Sequence, residues 1–203
     1  MYIPVQPLYN FEMKSYSEYV SDQCKIAQQY VSDSALNNLI KSIFNVSNDK
    51  NSLVFTVGNG GSATTAEHFS ADLAQMEKRT GHAIRSFCLN SQIALSSAFA
   101  NDYEYSTALA TQLNSFKGSN YMLVAFSASG NSKNILSAVN FSLAEGKEVH
   151  CFVGFSGGEI LKVKKANVIY FPDVEKNYGI AENLHLTAAH YVVDRLIEKF
   201  TTS

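Results

Sequence analysis

The chain has no apolar run of the 18 residues that a membrane-spanning helix needs, and its N-terminus shows no basic segment leading into an apolar one. A cytoplasmic protein, neither exported nor embedded in a membrane, is therefore expected. Cysteine is scarce: Cys24, Cys88 and Cys151 share no CxxC spacing, and two of them fall inside apolar runs. That excludes a disulfide framework and a cysteine-based metal cluster, and it predicts buried thiols in a reducing compartment. Charge of one sign is also missing. Sixteen Lys and Arg stand against 18 Asp and Glu, interspersed along the chain, for a formal net charge of −2. With no basic stripe, nucleic acid is excluded as a primary ligand. No repeat, linker or low-complexity segment divides the 203 residues. They suit one α/β domain that buries roughly 70% of its unfolded surface and needs no staples.

The sequence is organised around Ser52–Val57, a β-branched and aromatic run that stops at Gly58-Asn59-Gly60-Gly61-Ser62 and passes into the helix-forming segment from Ala63. Strand, glycine loop and helix in that order present backbone N–H groups and a helix N-terminus to an anion. The loop lacks the lysine of a Walker loop and the glycine spacing of a dinucleotide fingerprint, so alone it reads equally as a tight βα turn. A second copy of the device tips that balance. The apolar run Asn120–Phe126 ends in Ser127-Ala128-Ser129-Gly130-Asn131-Ser132 ahead of another helical pattern, and three hydroxyls beside a helix N-terminus suit a phosphate monoester.

Residues 1–10, with Pro4 and Pro7, read as an extended arm, followed by a tyrosine-rich helix from Glu12 to Val31 and a second helix capped by Ser34. That tyrosine stripe suits either intramolecular core or the surface of a sister subunit. Residues 1–50 form an arm and two helices attached to the sheet of residues 51–203. Strands are predicted near 52–57, 84–88, 121–126, 149–153 and 167–171. Helices are predicted near 63–77, 91–100, 104–116, 132–145 and 181–200, with a short one near 157–163. Such alternation means a parallel sheet covered on both faces, whose ligands collect at the carboxyl ends of the strands. Both glycine and serine loops lie there.

Five side chains on helices stand out as candidates for chemistry. His68 and Asp72, four apart, share a helix face. On the last helix Glu182, His185 and His190 interrupt an apolar pattern. Taken singly, each histidine reads equally well as packing. Together, His68, Asp72, Glu182 and His190 make a mixed nitrogen and oxygen set suited to zinc or another divalent ion, and a carboxylate beside an imidazole is equally the pair for moving a proton next to a carbonyl. Glu182 and His190 stand eight residues apart, about 12 Å of rise in one straight helix, which is long for two ligands of one ion. Either the helix begins after Glu182 or the two serve different sites. Asn101-Asp102 at the end of a helix is a turn by itself and, near two anion loops, a candidate for sugar hydroxyls. Gly157-Gly158 reads as a turn without a role, and Lys176 as either solvated or facing a ligand.

Gly58-Asn59-Gly60-Gly61-Ser62 with His68, then Asn101-Asp102, then Ser127 to Ser132, then the His185/His190 helix, together resemble the sugar isomerase (SIS) domain, and within it the phosphoheptose isomerases. The resemblance spans nearly the whole chain. It implies a three-layer α/β/α fold with a five-stranded parallel sheet and two extra N-terminal helices, a homotetramer, and active sites built between subunits. It implies conversion of sedoheptulose 7-phosphate to D-glycero-D-manno-heptose 7-phosphate, with the phosphate on Ser127, Ser129 and Ser132. Asn59, Gly60, Gly61, Ser62, Asn101, Asp102, Ala128 and Glu182 would complete substrate binding. Asp72 and His190 would be the acid/base pair, and His68, Asp72, Glu182 and His190 would hold one zinc ion. The chain departs from the family at three of these positions. Asp72 stands where glutamate is usual, Glu182 where glutamine is usual and Ala128 where threonine is common. Such departures suggest a divergent member serving heptose synthesis for capsule or lipopolysaccharide. The rival from another class is a non-catalytic SIS module that binds a sugar phosphate or a replication-initiator-type protein. A carboxylate at 72 with an imidazole at 190 argues against it.

Overall fold

Five apolar runs, each too short for a helix and bounded by turn residues, form one all-parallel sheet in the computed structural model, which describes residues 14–173 and 176–202. The strands are β1 (Leu53–Val57), β2 (Ser86–Cys88), β3 (Tyr121–Ser127), β4 (Glu148–Val153) and β5 (Asn167–Tyr170), in the spatial order β2-β1-β3-β4-β5. β3 is buried at all seven positions, as a central parallel strand covered on both faces must be. Its alternation sorts the core into two layers. Met122, Val124 and Phe126 face a cluster that also contains Leu39, Ile43, Phe69, Leu73, Val192 and Leu196. Tyr121, Leu123 and Ala125 face the opposite one, with Phe55, Leu113, Ile135 and Val139.

The first layer is built by α2 (Asp33–Ser47), α3 (Gly61–Ala74) and α8 (Tyr178–Thr202), and the second by α6 (Ala108–Asn114) and α7 (Lys133–Ala144). α1 (Tyr16–Tyr30) opens on a complete capping box between Ser15 and Glu18 but buries no residue. Tyr19, Ile26 and Ala27 rest on the first layer, while Tyr16 and Tyr30 are exposed, so the tyrosine stripe supplies little core to this chain. α5 (Ile93–Asp102) buries none of its residues either. No helix among the described residues is long and apolar enough to cross a membrane.

Several boundaries differ from the sequence expectation, for local reasons. The predicted extended arm, and the first two residues of the predicted first helix, lie outside the described residues. α2 is entered from Ser32, not Ser34, and the two hydroxyls bond one another at 2.7 Å instead of a backbone N–H. The helix expected over 63–77 breaks at Gln75, and a separate five-residue helix α4 (Met76–Thr80) follows, closed by Gly81 in the left-handed region at φ 79°. β2 is a three-residue edge strand, and the helix expected near 157–163 is a single 3₁₀ turn, Ile160–Lys162. α8 starts three residues early because the Asn177 side chain accepts the Ile180 N–H at 3.3 Å. Glu182 therefore lies inside the same helix as His190. Cys88 and Cys151 are buried as expected, whereas Cys24 is exposed on α1.

The order β2-β1-β3-β4-β5 reverses direction between β1 and β3, and a crevice opens at that point outside the carboxyl ends of the strands. The two loops singled out in the sequence are the ones that follow β1 and β3.

Candidate active site

The first loop is shaped by what its glycines exclude. A Cβ on Gly58 would lie 2.2 Å from the Ser62 carbonyl oxygen, and one on Gly61 would lie 2.1 Å from Glu182 Oε2. Gly60 adopts φ 55°, ψ −127°, open to glycine and strained for other residues. Asn90 pins the loop from the side, accepting the Gly58 N–H at 3.0 Å and donating to the Gly58 carbonyl at 2.8 Å. Asn59 forms a reciprocal amide pair with Asn134 at the start of α7, at 2.9 and 2.8 Å, and Tyr105 donates to the same Asn59 oxygen. The two loops are thereby tied together across the crevice.

In the second loop Ser127 Oγ accepts the Gly130 N–H and Ser129 Oγ accepts the Asn131 N–H, each at 3.2 Å. Both hydroxyls use a lone pair on their own loop, which leaves the O–H free to donate outward. Ser132 stands at the N-cap of α7 and makes no side-chain capping bond. Gly130, at φ 65°, packs so closely on the Gly157 carbonyl that a Cβ there would sit 2.1 Å from its oxygen, and one on Gly158 would sit 2.4 Å from the Ser129 carbonyl oxygen. Gly157-Gly158 thus supports the serine loop from below, a role its sequence did not reveal.

Asn59, Gly60, Ser62, Ser127, Ala128, Ser129, Ser132, Tyr178 and Glu182 line one cleft of about 310 Å³. No lysine or arginine is among the described residues that line it. Its donors are hydroxyls and helix N-termini, which suit an anion as fixed dipoles instead of mobile charges. Glu182 is the one acid among the described lining residues. Burial pushes its pKa up, and the Ser62 backbone N–H pulls it partly back. Ala128 packs with Phe155 and Ala181 in a small cluster of its own under the cleft.

A second constellation lies further along the seam between α3 and α8. His68 Nε2 stands 3.3 Å from His190 Nε2, and Asp72 Oδ2 is 3.6 Å from the first and 4.0 Å from the second. The donor atoms of the three lie within 4.8 Å of one another. Two imidazole nitrogens aimed at each other beside a carboxylate oxygen form the N/O set of a divalent transition metal, so these residues fit such an ion. The side chains of His68 and His190 are about half exposed, while that of Asp72 is 13% exposed.

The candidates thus sort into groups. Three of the four metal candidates meet; Glu182 is apart from them, at the cleft against Gly61 and Ser62. Asn101 and Asp102 bond each other at the exposed end of α5 and do not line the cleft of their own chain. His185 is fully buried among Phe126, Phe152 and Phe171. It is a packing histidine. Lys176 is exposed at φ 55° and does not line the cleft, whereas Tyr178, which no pattern marked, does. Asn90, Asn134 and Arg79 also went unmarked. An amide in the first turn after Ser132 was the one available hint, because asparagine has little reason to be buried there unless it is bonded.

A 2-1-3-4-5 parallel sheet with serine and glycine loops at its switch point defines the class: the SIS domain model matches residues 15–154, and the chain belongs to that family. Among named relatives, the phosphoheptose isomerase of Colwellia psychrerythraea is 30% identical over 140 residues, covering 69% of each chain. That of Akkermansia muciniphila is 28% identical over 188 residues, covering 90% of this chain and 97% of its own. The solved phosphoheptose isomerase of Francisella tularensis shares the fold, with a TM-score of 0.79 at 22% identity over 90% of this chain and 96% of that one. Within the SIS family this chain belongs with the phosphoheptose isomerases, and it is an isomerase.

Proposed function

We propose that the protein is an aldose–ketose isomerase of phosphosugars that converts sedoheptulose 7-phosphate to D-glycero-D-manno-heptose 7-phosphate. The reading rests on the relation between cleft and seam. α8 touches α3 twice, with Glu182 against Gly61 and Ser62, and with His190 against His68 and Asp72. The eight residues between the two contacts rise about 12 Å along the helix. A phosphate seated at the serine loop and a reacting carbon at the seam are therefore joined by a long open-chain sugar, and a triose is too short. The relatives named above are phosphoheptose isomerases, which agrees.

In this reading Ser127, Ser129 and Ser132, with the α7 N-terminus, hold the phosphate, so binding energy far from the reacting carbons supplies orientation. Asn59, Gly60, Gly61, Ser62 and Glu182 take the hydroxyls between. Asp72 removes a proton from C1, the electron pair forms the C1–C2 double bond of a cis-enediol, and the proton returns at C2. His190 carries the second proton from the oxygen on C1 to the oxygen on C2, which leaves an aldehyde at C1. His68, Asp72 and His190 would hold a zinc ion, which supplies Lewis-acid polarisation of the carbonyl.

Subunit assembly enters the same reading. α5 and its surroundings expose Phe87, Ile93, Leu95, Tyr103 and Tyr105, with Ile93 at 77%. Neighbouring copies in a homotetramer would cover this surface and bring Asn101 and Asp102 to a partner's cleft. The product would serve heptose synthesis for capsule or lipopolysaccharide in the cytoplasm. The test is turnover of a panel of ketose phosphates from five to seven carbons by the wild type and by Asp72→Asn. The seven-carbon substrate should be preferred, and the variant should lose about 10³-fold in kcat. Reaction with pentose or hexose phosphates alone ends the heptose assignment, and unchanged turnover removes Asp72 from the chemistry.

A further inference from the structure

We propose that Arg79 is a positioning residue for Asp72, holding one carboxylate oxygen so that the other stays turned toward His68 and His190. The inference rests on the isomerase reading above and adds a residue to it. Arg79 Nη2 donates to Asp72 Oδ1 at 3.2 Å, whereas Asp72 Oδ2 faces the two imidazoles at 3.6 and 4.0 Å. Those last two separations are beyond hydrogen-bond range, so among the described residues Arg79 is the sole hydrogen-bond partner that fixes the carboxylate. The two oxygens are divided between two tasks.

The local fold places the guanidinium. α3 ends at Ala74, and α4 begins at Met76, whose fully buried side chain anchors the short helix against the core. Gly81 closes the turn in the left-handed region, with its N–H on the Glu77 carbonyl at 2.8 Å. Arg79 is thus carried by an anchored turn, and its side chain, 38% exposed, reaches a carboxylate that is 13% exposed. A surface ion pair between two mobile side chains adds little stability. Here one partner is nearly covered and belongs to the proton-moving set, so the geometry is spent on orientation.

The shortness of aspartate makes this orientation matter. With two side-chain torsions, Asp72 has no spare reach, and a swing about χ1 or χ2 carries Oδ2 away from both imidazoles. The guanidinium fixes that swing. It also shares the carboxylate's charge, so it draws negative charge away from any cation held by His68, Asp72 and His190. Removing the clamp therefore weakens proton transfer, while its two effects on cation binding, charge released and a ligand oxygen turned away, oppose each other.

The experiment uses the full chain with Arg79→Gln and Arg79→Lys, and reads kcat, KM, thermal stability and zinc affinity by competition with a chromogenic chelator. Arg79→Gln should lower kcat about 30- to 100-fold with KM within about twofold and the melting temperature within about 2 °C. Arg79→Lys, which restores a cation without the fork, should recover kcat to within about fivefold of wild type. Wild-type kcat in Arg79→Gln overturns the proposal. So does a fall in kcat that comes with a fall in melting temperature and is not recovered by Arg79→Lys, the signature of a merely structural ion pair. The split between kcat and KM tests the clamp equally with and without zinc bound. Failure of the wild type to isomerise any ketose phosphate would instead sink the isomerase reading, and in that case a zinc affinity equal to wild type in Arg79→Gln overturns the clamp and a changed one at unchanged melting temperature supports it.

Discussion

The cleft and the seam are built in opposite ways. The cleft is made of backbone and hydroxyl groups locked by close approaches: Gly58 on Ser62, Gly61 on Glu182, Gly130 on Gly157, Gly158 on Ser129. Its cross-link, the Asn59–Asn134 amide pair, is satisfied in both directions. The seam is made of side chains, with His68 and His190 half exposed and Asp72 held by one arginine. A binding surface for a constant group such as phosphate gains from rigidity, because fixed dipoles do not have to reorganise. Groups that exchange protons or bind a cation need access and adjustable geometry. The cleft is walled by two loops and α8, whereas the seam lies open at the surface.

The sharpest way to break this contrast is to remove the rigidity of the cleft at one atom. Gly130→Ala introduces a Cβ 2.1 Å from the Gly157 carbonyl oxygen, at φ 65°. Gly118→Ala, at φ 83° in open space, carries the conformational cost without the collision. The left-handed backbone costs about 1–2 kcal/mol in either variant. The clash is expected to bring the loss for Gly130→Ala to about 3 kcal/mol or more, which is a fall in melting temperature of roughly 6–12 °C. Calorimetry should show the larger drop for Gly130→Ala, with weaker binding of inorganic phosphate, while Gly118→Ala keeps phosphate affinity. Equal drops in the two variants would mean that the serine loop is not held from below.

A somewhat smaller effect should come from the floor under the cleft. His185 is 0% exposed, and neither ring nitrogen has a hydrogen-bond partner of normal geometry among the described residues. Burial pushes its pKa from 6.5 down to about 4, with the Val153 backbone pulling weakly the other way. The folded state therefore holds the neutral ring. His185's share of stability is present in full above pH 6.5 and is lost as the pH falls from 6.5 through 4. Across that window the loss amounts to about 3 kcal/mol. Denaturant unfolding between pH 7 and 4 should show it, and His185→Leu should flatten that part of the profile while keeping turnover at pH 7. A pH slope unchanged in His185→Leu would assign the acid sensitivity to another group.

Much of this contrast is legible in the sequence, and the reasons it stops are physical. Buried parallel strands are continuous apolar runs, so β1, β3 and β4 and the loops after the first two are visible from composition alone. His68 and Asp72 are visible as a pair because helical spacing of four fixes a shared face. The Asn59–Asn134 pair spans 75 residues and depends on the strand order, which no local pattern encodes. The break at Gln75, which decides where Arg79 goes, falls within a segment whose composition favours one continuous helix. Glu182 and His190 posed an explicit choice, and the start of α8 at Tyr178 settles it: both are in one helix, beside different partners. The exposed end of α5 hides the place of Asn101-Asp102, because that helix buries none of its residues in a single copy.

The finest distinction lies within the serine loop. Ser127 and Ser129 each accept a loop N–H, so they support the loop's shape as well as offering an O–H outward. Ser132 makes no side-chain capping bond, so in the proposed reading its hydroxyl serves the phosphate alone. Ser132→Ala should therefore leave the melting temperature within about 2 °C and raise KM for the sugar phosphate roughly tenfold, the worth of one hydroxyl bond to a charged oxygen. kcat should stay within about twofold, because the proposed function seats the phosphate far from the carbons that exchange protons. Ser127→Ala, in contrast, should lower both stability and affinity, since the Gly130 N–H loses its partner. If Ser132→Ala lowers kcat as much as it raises KM, the phosphate grip tightens in the transition state. The cleft would then take part in the chemistry, and the division of labour between cleft and seam would fail.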